Sequence, residues 1–253
     1  MRPFRRRKVN RRLAAARPPR RLPLRGMAVA AAVAAAAGAA SWGAVQLANP
    51  AVMPVKYVRI SGALQHLDAA ALRDAVKESL KGNFITADTA AVRQRIAAMP
   101  WVKAVAVGRV WPDTLTVAVV ERRAVGRWGG GGLVSAEGEL FRPEGKPDPA
   151  LPLLDGPGED APAVVDALAK ASAALRPLRL SVAAMSVNGR HAWRLNLDNG
   201  ISVVLGRDDF DLRLARLVRV YAAVLAPRAD RVQEVDLRYS NGFAVHWRGA
   251  PSA

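Results

Sequence analysis

The chain has 253 residues, enough for one or two domains with a substantial core, and 38 Lys and Arg against 21 Asp and Glu give it a net charge of +17. It has no cysteine, which excludes disulfide staples, thiolate chemistry and Cys-ligated zinc. The charge is lopsided: residues 1–25 hold eleven bases and no acid, the first acid is Asp68, and the remainder carries a net charge of only +6.

That tail, MRPFRRRKVNRRLAAARPPRRLPLR, has four prolines and few large apolar residues, so it cannot bury enough surface to fold alone and is expected to be disordered. Such a run serves nucleic-acid binding, targeting, or the cytoplasmic flank of a membrane span. Apart from Phe4, no aromatic or helical reader is interleaved with the arginines, which argues against nucleic acid. Residues 26–48 then carry no charge; as a helix they reach about 34 Å, against a hydrocarbon core of about 30 Å. Arginines on the N-terminal side alone place that side in the cytoplasm, and Trp42 suits the far interface. The span is alanine-rich, and residues 37–41 offer small-residue cleavage sites behind paired arginines. On the residues alone, an uncleaved anchor and a cleaved signal both stay open.

A short extended link with two prolines, residues 49–54, leads to a strand at 55–60 that ends at Ser61-Gly62. Asp68 precedes a helix with Leu72, Val76 and Leu80 on one stripe, closed by Gly82. Asp88-Thr89 starts a second helix with Val92, Ile96 and Met99 at i, i+4, i+7, and Pro100 stops it. Two β-branched-rich strands, 101–110 and 114–121, joined by Trp111-Pro112-Asp113-Thr114, form a hairpin. Leu115, Val117 and Val119 share one face; Thr114 and Thr116 share the other. Strand, helix, helix, strand, strand is an α+β module with two helices over a three-stranded sheet, spanning residues 54–124.

Gly129 to Gly132 lack a following Lys-Ser/Thr or an opening helix, so they read as a flexible hinge or hairpin connection rather than a phosphate loop. The second region, 127–249, begins with short strands at 133–135 and 139–142, then a Pro/Gly-rich stretch, 142–162, that is mostly loop. A helix at 163–175 ends at Arg176-Pro177. Trp193, Leu195 and Leu197 alternate with Arg194 and Asn196, and Asp198-Asn199-Gly200 turns the chain into a strand at 201–205. A helix over 208–225 buries Leu214, Leu217, Val218 and Tyr221, and Arg213, Arg216 and Arg219 form an outer, solvated row. In the last hairpin Val235, Leu237 and Tyr239 alternate with Glu234, Asp236 and Arg238, and Asn241-Gly242 predicts a tight primed turn into Phe243, Val245 and Trp247. An uncovered final strand is either blunted or used to pair with another chain. Periodicity explains Phe243 and Trp247 equally well as core or as contact residues.

Catalysis finds no support. His66, His191 and His246 stand alone, without metal-ligand spacing or an adjacent nucleophile motif. Asp208-Asp209 suits the positive end of a helix dipole, and Glu121-Arg122-Arg123 reads as strand-end charge. No G-x-S-x-G, H-E-x-x-H or phosphate loop is present. The expectation is a non-enzyme without cofactor, metal or small-molecule substrate.

The module order, with Gly82-Asn83-Phe84, Pro100-Trp101-Val102, Trp111-Pro112-Asp113-Thr114-Leu115 and Glu121-Arg122-Arg123-Ala124-Val125, resembles the POTRA module of the FtsQ/DivIB bacterial cell-division proteins. The likeness continues through Leu133-Val134-Ser135, Gly138-Glu139-Leu140-Phe141, Leu151-Pro152-Leu153-Leu154, Gly156-Pro157 and Val235-Asp236-Leu237-Arg238-Tyr239. The resemblance implies an uncleaved transmembrane helix, a POTRA domain and a second, β-rich α+β domain. It further implies a divisome scaffold in the cell inner membrane, single-pass, N-terminus cytoplasmic and C-terminus periplasmic, at the septum. Implied partners are FtsB and FtsL, with FtsK, FtsW, FtsI and FtsN as further candidates, besides membrane lipid and without nucleic acid. By the same resemblance the terminal strand receives the C-terminal segment of FtsB. The matching residues are Arg190, Arg238, Tyr239, Asn241, Gly242, Phe243, Val245 and Trp247; His246 stands where some relatives have a small residue. The alternative is a POTRA-bearing secretion or outer-membrane assembly component, which calls for a β-barrel or further POTRA repeats.

Overall fold

The computed structural model describes residues 24–49 and 51–249. Helix α1, Leu24–Ala48, contains the segment Gly26–Gln46, which is long and apolar enough to cross a membrane, with a mean hydropathy of 1.7. The basic tail expected to be disordered lies outside the described residues, except that Leu24 and Arg25 open α1.

The described residues from 53 to 249 form one compact body. Its first part follows the expected order: β1 (Tyr57–Ser61), α2 (Ala69–Ser79), α3 (Thr89–Ala97), β2 (Val102–Val110) and β3 (Thr114–Glu121). The sheet order is β1-β3-β2, with β1 parallel and β2 antiparallel to β3. Both helices start where an aspartate satisfies amides that a first turn leaves unpaired. The Asp68 carboxylate accepts from the N–H of Ala70, and the Asp88 carboxylate accepts from those of Ala90 and Ala91. Helix α2 ends earlier than the glycine signal suggests: Leu80 leaves the helix in an extended conformation while its N–H still donates to Val76. Leu72, Val76, Val92 and Ile96 close over Leu115, Val117 and Val119 in a buried apolar core. The Trp111–Pro112 peptide at the hairpin tip is cis.

Only Arg122 and Arg123 separate β3 from β4 (Ala124–Trp128), which opens a second sheet. The changeover therefore falls before the glycine run. Gly129 to Gly132 form a tight hairpin connection to β5 (Leu133–Ser135): the N–H of Trp128 donates to Gly132 and that of Gly131 to Trp128, and Gly131 and Gly132 take positive φ. β6 (Leu140–Phe141) follows. The stretch expected to be mostly loop contributes β7 (Leu153–Asp155), set between β4 and a strand absent from the sequence reading, β8 (Val182–Val187). Helix α4 is Ala161–Leu175; β9 (Trp193–Leu197) and β10 (Ser202–Gly206) form the expected hairpin; α5 is Phe210–Val220; β11 (Val232–Asp236) and β12 (Ala244–Trp247) close the chain. The nine strands run β12-β11-β10-β9-β8-β7-β4-β5-β6.

Alternation decides which face is covered. Leu154, Met185, Leu195, Val203 and Val235 pack against Val164, Leu168 and Leu175 of α4 and Leu214 and Leu217 of α5. Arg194 and Asn196 stay exposed on the opposite face, where Ala184 is half-buried. The molecule is thus α+β throughout, one apolar N-terminal helix followed by a strand-helix-helix-strand-strand module and a β-rich domain.

Candidate protein-binding edge

Strand β12 ends the nine-stranded order and pairs only with β11 among the described residues. The Arg248 N–H donates to the Arg231 carbonyl at 2.7 Å, so the amide of Arg248 points inward. Successive residues of a strand alternate sides. His246 therefore turns its backbone groups to β11, while Val245 and Trp247 present N–H and C=O to the open side. Phe243, Val245 and Trp247 are half-buried and pack against the core, whereas His246 is exposed. The aromatic residues fill the sheet's covered face and stiffen an edge whose backbone stays unpaired.

The loop before β12 differs from the expected turn. Asp236 pairs with Ala244, so residues 237–243 form a seven-residue connection. A primed turn requires positive φ at the first central residue, and type I′ at both, yet neither Asn241 nor Gly242 has one. Because β11 stops at Asp236, alternation also stops there: Leu237 is buried, but Tyr239 is 56% exposed.

Two residues outside the expected set hold this loop. Arg216 of α5 donates to the carbonyls of Tyr239 (2.7 Å), Ser240 (2.8 Å) and Gly242 (3.2 Å). The arginine row is consequently only partly a solvated face: Arg213 donates to the Leu205 carbonyl, and of the three only Arg219 is exposed. Val218, expected to be buried, is only half-buried. Asp236, 5% exposed, accepts from the Arg238 backbone N–H and from its guanidinium at 2.6 Å. The Arg238 guanidinium holds the Asp236 carboxyl below the usual range, against the opposing effect of burial. Spacing had shown that these residues share a face; it carries no information on which loop folds back to meet them.

Arg190 lies in the exposed β8–β9 loop, where the Asn188 side chain accepts from its N–H. That loop and Arg238 meet across a shallow cavity of about 310 Å³ lined by Asn188, Ala192, Trp193, Gly206 and Arg238. The expected contact residues thus gather at one end of the sheet and along its terminal strand.

The histidines have structural neighbours. His66 stacks on Trp101 at 3.8 Å, His191 lies 3.7 Å from Asp160, and no cluster of three or more His, Asp or Glu able to hold a metal occurs among the described residues.

Residues 53–122 match the family model "POTRA domain, FtsQ-type", and residues 126–238 match "Cell division protein FtsQ/DivIB, C-terminal". Among curated relatives, the chain is 34% identical to Cell division protein FtsQ of Coxiella burnetii over 81% of this chain and 85% of that one. It is 38% identical to the protein of that name from Allochromatium vinosum over 79% and 80%. Against that of Burkholderia pseudomallei it is 35% identical over 83% and 86%.

Proposed function

Because this chain belongs to the FtsQ/DivIB family of cell division proteins, we propose that it is a binding scaffold of the divisome whose β12 edge captures an extended segment of a partner. The occupant is the C-terminal segment of an FtsB-like protein, held together with an FtsL-like protein. α1 serves as an uncleaved single-pass anchor in the inner membrane, with the basic tail in the cytoplasm and the folded body in the periplasm at the septum. From there the body also meets FtsK-, FtsW-, FtsI- or FtsN-like proteins.

The observation that carries this reading is the open edge of β12. Outward backbone groups at Val245 and Trp247 supply the ladder for strand addition, and main-chain bonds of that kind give affinity while flanking side chains give specificity. Tyr239, exposed in the loop before the strand, and Arg190, in the exposed β8–β9 loop at the same end of the sheet, supply the side-chain contacts. The energy of such interfaces concentrates in aromatic and arginine anchors. Tyr239→Ala is expected to weaken capture of an FtsB-like peptide by about 2 kcal/mol or more, about 30-fold, with an unchanged circular dichroism spectrum. Full retention of the peptide would sink the assignment.

A further inference from the structure

The POTRA domain exposes aromatic and apolar side chains at the end where β1 begins. Trp111, at the hairpin tip, is 76% exposed and Tyr57 64%, while the other four tryptophans of the folded body are buried or half-buried. Val110 and Ile85 are exposed at the same end. Backbone bonds gather these residues. The N–H groups of Lys56 and Tyr57 donate to the Asp113 carbonyl at 2.9 and 3.3 Å, that of Phe84 donates to Met53 at 2.9 Å, and the Arg109 guanidinium donates to Ala87. Lys56 and Arg109 add positive charge, and the Asp113 carboxylate is mostly covered, 3.7 Å from Lys56.

The covalent chain says what meets this end. Ala48 closes α1, and Met53, bonded into the exposed end, follows five residues later, at most about 17 Å at full extension. Given the anchor reading above, that tether keeps Met53, and with it the end of the body into which it is bonded, within reach of the headgroups. Trp and Tyr are favoured at the boundary between hydrocarbon and water, and basic side chains there gain from anionic headgroups.

We propose that the β2–β3 hairpin tip, through Trp111, Val110 and Tyr57, seats on the outer leaflet of the membrane that α1 crosses. This second attachment restricts swivelling of the body about its short link. Having no native cysteine, the full chain can carry single spin labels at Val110→Cys, Arg219→Cys or Ala35→Cys in nanodiscs of phosphatidylethanolamine and phosphatidylglycerol. Collision rates with oxygen and with a water-soluble nickel complex report depth. The Ala35→Cys label should be lipid-embedded and the Arg219→Cys label aqueous. The Val110→Cys label should show nickel accessibility several-fold below that of Arg219→Cys with raised oxygen accessibility, and adding Trp111→Ala and Tyr57→Ala should return it to the aqueous value. An aqueous Val110→Cys label beside an embedded Ala35→Cys label overturns the docking alone. Shielding from both collision partners overturns it in favour of a protein neighbour. An aqueous Ala35→Cys label overturns the anchor reading and the docking with it.

Discussion

Single polar side chains set how the loops of this molecule are held. Asn83, 1% exposed, accepts from the N–H groups of Ile85 and Thr86 and from the Thr86 hydroxyl. Asn83→Ala empties a buried site and breaks three partly buried bonds and should cost about 1 kcal/mol or more, read as a lowered urea midpoint. Glu121 behaves differently. Burial alone would raise its carboxyl, but the amides of Leu67, Gln65 and His66 outweigh that and hold it below the usual range. Asp236 is likewise depressed. A carboxyl depressed in the folded state contributes stability above its unfolded value and loses it as pH falls through the native one. With unfolded values near about 3.9 for Asp and about 4.3 for Glu, the midpoint should stay flat from neutral pH to about 5 and drop below about 4. Glu121→Gln should make that acid drop shallower. Arg216→Ala removes three bonds to partly exposed carbonyls that water can replace. It should therefore cost about 1 kcal/mol of stability while loosening residues 237–243, seen as faster amide exchange there and weaker peptide capture.

At the scale of elements, β12 allows a direct contrast. Proline is tolerated on an edge strand where its missing N–H would have faced outward. Val245→Pro keeps the inward ladder bonds, so it should cost less stability than His246→Pro, while it deprives an incoming strand of a donor and lowers affinity for an FtsB-like peptide about tenfold, the worth of one hydrogen bond. His246→Pro removes an inward donor and should destabilise the body by about 1–3 kcal/mol. Equal loss of stability in the two variants would show that the strand's sides are assigned wrongly. Helices α2 and α3 were legible because each pairs an aspartate cap with an apolar stripe. β7 was not: a three-residue strand buries only Leu154, so it has no periodicity to detect, and its parallel pairing with β4 and β8 arises from chain far away in sequence. Asn241-Gly242 misled for a related reason. A dipeptide that suits a primed turn is overruled when Arg216, Asp236 and Arg238 stabilise a longer connection.

For the molecule as a whole, the POTRA and β-rich parts form one body. Trp101, stacked on His66, meets Phe141 edge-on at 5.1 Å, the Arg122 guanidinium lies 5.8 Å from the Phe141 ring centre, Arg122 also pairs with Glu139, and Lys103 reaches Glu137 at 2.5 Å. Aromatic pairs contribute about 0.5–1.5 kcal/mol beyond their burial, so Phe141→Ala should weaken the coupling between the parts. Calorimetry is expected to resolve a single transition into two, with the POTRA part unfolding first; one unchanged transition would place the coupling elsewhere.

The residues by themselves determined the apolar segment and its basic flank, the strand-helix-helix-strand-strand order, the β9–β10 hairpin and the final β-pair. Each of these follows from local composition, caps or period, which act within a few turns of chain. Only the tertiary structure decided that the glycine run is a tight turn within the sheet, that β7 and β8 bridge its two halves, and that β12 lies at its edge beneath a loop clamped by Arg216 and Asp236. Those outcomes depend on contacts between residues far apart in sequence, where the gain from pairing distant strands and from side chains that bind loop carbonyls outweighs the local preference of any single turn.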